Sequence, residues 1–139
     1  LSREIWGVDA IILNADYLHN RQKEWGQQPL AWIANGYVEE YFVKALHNYL
    51  MFAQTHLKLP PPLQVEAGFT GIRGYPISGA NNGFYGKSLR DAVQWKGEIT
   101  AYGKPAWEIL GSCFDQIWAN CGIQRTSQDQ AALCKKFTG

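Results

Sequence analysis

The chain has 139 residues, a single domain's worth, with 46% hydrophobic and 14% aromatic residues and a formal net charge of +1. A chain of this length buries roughly 68% of the surface its unfolded form exposes, enough for one core, and the aromatic content excludes a disordered chain. No apolar run reaches the ~18 residues that a membrane-spanning helix needs.

The opening LSREIWGVDA has no initiator Met and lacks the basic-then-apolar layout of a signal peptide. It reads as an ordered segment, so the expectation is a piece of a longer protein, with residues 1–139 forming one α+β domain. Ser2 caps a helix with Glu4 in its first turn and Ile5, Val8, Ile12 and Ala15 near helical spacing, although the Ile/Val content also suits a strand. The polar stretch 19–29, ending in Gly and Pro, reads as a loop containing His19. Asn35 then opens a long helix through Lys58, with Val38, Phe42, Leu46, Tyr49 and Ala53 in one stripe. Glu39 and Glu40 suit its positive N-terminal end, His56 and Lys58 its C-terminal end, and Glu40 pairs with Lys44 at i,i+4. LPPPL (59–63) stops the helix, because proline lacks the donor N–H and restricts the residue before it.

LQVEAGF alternates as a half-buried strand, with Leu63, Val65, Ala67 and Phe69 inward and Gln64 and Glu66 outward. Gly68, Gly71 and Gly74 mark bends or close approaches, and Pro76 places GYPIS on an edge. VQWKGEI alternates in the same way, so the two alternating strands pair antiparallel with 78–90 as a long connection. Pro105 starts a helix through Cys121 that Gly122 closes, with Trp107 and Trp118 on one face for core or interface packing. A short capped helix completes the tail. The expected fold is a small antiparallel sheet packed against the two main helices, 36–58 and 105–121.

The side chains that carry chemistry are scattered. Cys113, Cys121 and Cys134 form no CxxC pair, and Cys113 and Cys121 stand about 12 Å apart along a helix, too far for a disulfide. They read as buried or half-buried thiols of a reducing cytosol. His47 has no ligand-spaced neighbour, so neither a metal nor a cofactor is implied. Glu66 and Glu98 share a strand face but read as solvated residues rather than an acid–base pair.

SGANNGFYGKS ends in Gly86-Lys87-Ser88, the ending of a phosphate-binding loop. Such a loop needs a glycine five residues before Gly86, where Asn81 stands, and a following helix, where an alternating strand follows instead. The stretch therefore reads as a flexible connection. The charge distribution points to the same region: residues 68–104 carry five basic and two acidic side chains, net +3, against net −2 over residues 1–67. Arg73, Lys87, Arg90 and Lys96 are the candidate anion- or nucleic-acid-binding residues of the basic region 71–96. Phe84 and Tyr85 either stack on unpaired bases or fold back on the sheet.

PPLQVEAGFTGIRGYPIS, with YLMFAQTHLKLPPP before it and VQWKGEI and PAWEILGSCFDQIWANCGI after it, resembles the C-terminal region of bacterial proteins that carry an N-terminal AlbA-type (Schlafen-like) domain assigned to DNA binding. The likeness covers about residues 1–123, excludes that defining domain and transfers no functional residue. It implies a cytoplasmic bacterial protein linked to nucleic acid. The expected function is a non-enzymatic accessory or assembly module, whose partners are other domains of the parent or a second copy. The alternative is weak anion or nucleic-acid binding through region 71–96.

Overall fold

The computed structural model describes residues 4, 5, 7, 32–78 and 83–138. The expectations for 2–15, apart from residues 4, 5 and 7, and for the loop 19–29 lie outside these residues. The described elements run α1 (Asn35–Thr55), β1 (Leu63–Phe69), β2 (Pro76–Ser78), β3 (Phe84–Lys87), β4 (Val93–Ile99), α2 (Ala106–Ile109), α3 (Gly111–Asn120) and α4 (Ser127–Thr138), an α+β fold.

β1 and β4 pair antiparallel, from Leu63 opposite Ile99 to Phe69 opposite Val93. A two-stranded ribbon is marginal by itself, and here the helices supply the stability. Phe69, Val93, Trp95 and Ile99 join Val38, Val43 and Leu46 of α1 and Cys113, Phe114 and Ile117 of α3 in one core. Phe42 stacks on Phe69 with ring centroids 5.2 Å apart and leans on Phe114 at 6.3 Å. Gly97 is required because the Trp95 indole lies across it, leaving only 2.2 Å to where a Cβ would stand. From there Trp95 Nε1 donates to Ser112 Oγ at 2.9 Å. The outer face is polar: Gln64 donates to Glu98, and Lys96 and Gln94 both engage Glu66.

The expected connection 78–90 is not a plain loop. It contains β3, which pairs antiparallel with β2, so there are two two-stranded ladders rather than one sheet. β2 also meets Ile33: the Ile33 N–H donates to Pro76 O at 2.8 Å and the Ser78 N–H to Ile33 O at 3.0 Å. This is how Pro76 sits in a ladder without a donor of its own.

The helices differ from expectation at their ends. Ala34 precedes α1 as its cap, while Asn35, the first helical residue, accepts a hydrogen bond from Trp118 Nε1 at 2.9 Å. α1 ends at Thr55, short of Lys58, which takes a left-handed φ of 50°. The expected helix 105–121 breaks at Leu110, so Trp107 and Trp118 stand on α2 and α3 rather than on one helix face. Gly122, at φ 77°, closes α3: its N–H donates to Ala119 O, and the Ile123 N–H to Trp118 O. α4 begins with a capping box in which Thr126 N–H donates to Asp129 Oδ2 at 2.7 Å and Asp129 N–H to Thr126 Oγ1 at 3.3 Å.

Glu39 does not serve the helix dipole. It is buried and accepts a hydrogen bond from Arg125 Nε at 3.1 Å, the two side chains being 10% and 2% exposed. Burial pushes the Glu39 carboxyl above its ordinary range, and Arg125 offsets this only in part. The same guanidinium donates to Gln130 Oε1, stands 3.6 Å from Asp115 Oδ1 and lies over the Phe114 ring at 5.5 Å. Glu40, one residue on, bridges Lys136 and Lys44, whose hydrogen bonds hold its carboxyl below the usual value.

Two expectations follow for stability. Arg125→Ala should cost about 3–5 kcal/mol in urea melts, because it strands a buried carboxylate, and Glu39→Leu/Arg125→Met should recover most of that loss. Lys44→Ala, at an exposed pair, should leave the urea midpoint close to that of the wild type; a cost equal to that of Arg125→Ala would refute the distinction. The depressed pKa of Glu40 stabilises the fold above the unfolded value near 4.5, and this contribution is lost as pH falls through the folded value. Glu40→Gln should therefore show a shallower decline in melting temperature below about pH 5 than the wild type.

Candidate nucleic-acid interface

The Gly-Lys-Ser stretch is built into the end of α3. Gly86 lies on β3 so close to this helix end that a Cβ would stand 2.1 Å from Cys121 O. Ser88 is buried; its hydroxyl donates to Arg90 O at 2.7 Å and accepts from Asn120 Nδ2 at 2.6 Å. The Leu89 N–H donates to Asn120 O at 2.9 Å and the Arg90 N–H to Asn120 Oδ1 at 3.1 Å. These glycine and serine residues thus dock an edge strand, which explains them without a phosphate.

The docking has a consequence for charge. Gly74 N–H donates to Ser88 O at 2.8 Å, Ile72 N–H to Asp91 O at 3.1 Å, and Lys87 stands opposite Pro76. Arg73 is therefore drawn onto one backbone ladder with Lys87 and Arg90, 14 and 17 residues further along the chain. All three are exposed, and no carboxylate among the described residues forms an ion pair with them. Lys96 does not join them: it stands on β4, with its ammonium 2.6 Å from Glu66 Oε1.

The aromatic pair divides. Phe84 turns its ring edge-on to Trp32, with centroids 6.1 Å apart. Tyr85 is the extra residue of β3, because Ile77 faces Gly86 and Ser78 faces Phe84 with a register shift between them. It is 52% exposed, and Leu89 nearby is 72% exposed. The bulge, Ser88, Asn120 and the buried Glu39–Arg125 pair all escape sequence reasoning, since each depends on partners remote in the chain. The only advance signal for the docking was Gly86 itself.

Elsewhere, the polar groups of a cleft and of the β1–β4 face are already engaged. A shallow cleft of about 290 Å³ beside the end of β4 is lined by Trp95, Glu98, Tyr102 and Lys104 among others. There Glu98 accepts from Gln64, Tyr102 Oη donates to Leu59 O, and Lys104 pairs with Glu108. Glu66 is held below the usual carboxylate range by hydrogen bonds from Lys96 and Gln94, the wrong direction for a general acid. Burial pushes the Cys113 and Cys121 thiols up to about 12 and about 11. Among the described residues no three His, Cys, Asp or Glu side chains are grouped to hold a metal ion, and no helix is long and apolar enough to cross a membrane.

No protein family, curated protein or solved structure matches the chain.

The docking geometry predicts that Gly86→Ala costs about 1–3 kcal/mol by forcing β3 away from Cys121 O. Gly83→Ala, where no atom stands within 4 Å of the new methyl, should change stability by less than about 0.5 kcal/mol. Equal effects in denaturant melts would refute the close approach.

Proposed function

We propose that the chain is a non-enzymatic accessory module of a larger cytoplasmic bacterial protein. Its own contribution is a weak, sequence-independent hold on the phosphate backbone of nucleic acid through Arg73, Lys87 and Arg90. The observation that carries this reading is the convergence of three exposed cations, without ion-pair partners among the described residues, on one ladder. Only Asp91 contributes a carboxylate between residues 71 and 92, so the edge keeps a net positive field. The resemblance in the sequence supports the bacterial, nucleic-acid-linked setting.

A second reading, assembly with another domain or copy, is favoured by the exposed Met51 (46%), Phe52 (44%) and Leu57 (39%) at the end of α1. One experiment separates the two. In fluorescence anisotropy with labelled oligonucleotides at 50 mM salt, wild type should bind at micromolar concentration, and the Arg73, Lys87, Arg90 triple alanine variant should not. Contacts to three phosphates of a duplex give a salt slope of about −2.7, a roughly 40-fold loss of affinity between 50 and 200 mM. Equal binding by wild type and variant, or no binding by either, would remove nucleic acid as a direct partner of this edge and leave the assembly reading.

A further inference from the structure

We infer that the β2–β3 edge takes single-stranded rather than duplex nucleic acid, with Tyr85 as the residue on which a base stacks. This deepens the phosphate-backbone reading and rests on it. Charge alone does not choose between the two forms, since both present phosphates to Arg73, Lys87 and Arg90. The choice comes from the exposed apolar side chains beside the cations. A bulge re-aims the side chain it carries, and Tyr85 occupies such a position, two residues from Lys87. Phe84 is edge-on to Trp32, whereas Tyr85 makes no ring contact or side-chain hydrogen bond among the described residues and stays 52% exposed. Leu89, between Lys87 and Arg90 in the chain, is 72% exposed.

A duplex keeps its bases stacked on one another, so an aromatic ring and a leucine on a flat edge meet only its sugar–phosphate rails. A single strand offers unstacked bases to an aromatic platform while its phosphates meet the flanking cations, and such stacking tolerates any base. The bonds that hold the edge are backbone-made or come from Ser78, Ser88 and Asn120, so Tyr85 can be changed without touching the docking.

The test uses anisotropy with labelled oligo-dT and oligo-U of about 20 nucleotides and a duplex of similar length, for wild type, Tyr85→Ala, Tyr85→Phe and the triple alanine variant. Wild type should bind at least one single strand several-fold more tightly than the duplex. Tyr85→Ala should weaken that binding by roughly five-fold or more, the low end for one lost stack, leave duplex binding within about two-fold and keep its melting temperature. Tyr85→Phe should bind like wild type. The single-strand affinity should fall roughly 18-fold between 50 and 200 mM salt, as three contacts at a slope near −0.7 each imply. Duplex binding as tight as single-strand binding, or single-strand binding indifferent to Tyr85→Ala, overturns this inference alone, provided the triple variant abolishes binding. Loss of all binding in wild type overturns the phosphate reading with it.

Discussion

The buried pair between Glu39 and Arg125 is the constraint on which the arrangement of the helices depends. The two residues are 86 positions apart in the chain, and each charge would be costly to bury without the other. Arg125 also touches α3 through Asp115 and Phe114 and α4 through Gln130, so one guanidinium ties the second half of the chain to α1. Its planar fork suits this many-sided contact, which a lysine could not reproduce. Two further bonds work alongside it: Trp118 to Asn35 at the start of α1, and Lys136 to Glu40 on its solvent side.

Through α3 the same constraint reaches the candidate edge. The pair and the Trp118–Asn35 bond set where α3 ends, and this end presents Asn120 and the Cys121 carbonyl to the segment 86–90. Asn120 then satisfies two backbone N–H groups and the Ser88 hydroxyl. The exposed cations are therefore displayed from a held backbone rather than from a loose loop. Positioning of this kind lowers the ordering cost of binding but does not add charge, so the proposed binding through a few phosphate contacts would be weak and salt-sensitive.

Local pattern made much of the fold legible. The alternation at 63–69 and 93–99 gave the correct faces, and their antiparallel pairing follows from it. The stripe on α1 was nearly right: Val38, Leu46 and Ala53 are buried and Phe42 packs half-buried against the core, while Val43 joins them and Tyr49 is only half-buried. Gly122 and the capping box of α4 were readable because a cap is a matter of neighbouring residues. What was not readable depended on distant partners. FYGK has no strand alternation of its own and becomes β3 only because β2 and the end of α3 receive it. Leu110, at φ −82° and ψ −2°, interrupts the helix between α2 and α3 although nothing in EILGS but its glycine signals a break. Glu39 looked like an N-terminal acid because its partner Arg125 lies at the far end of the chain. Arg73, Lys87 and Arg90 could be picked out as charges near one another, but the separation of Lys96 from them required knowing that Glu66 stands opposite it.

The distribution of engaged and unengaged groups bears on what kind of protein this is. An active site needs titratable groups held in reserve, with values shifted toward the working pH. Here the buried thiols are pushed away from reactivity, and the carboxylates of the β1–β4 face are committed to cross-strand partners. Among the described residues, exposed side chains gather at two places instead. One is the cationic edge with Tyr85; the other is the apolar end of α1 at Met51, Phe52 and Leu57. Of the two, the edge is the one on which the proposed reading rests, because positive charge beside an exposed ring is complementary to a polymer that is both anionic and aromatic.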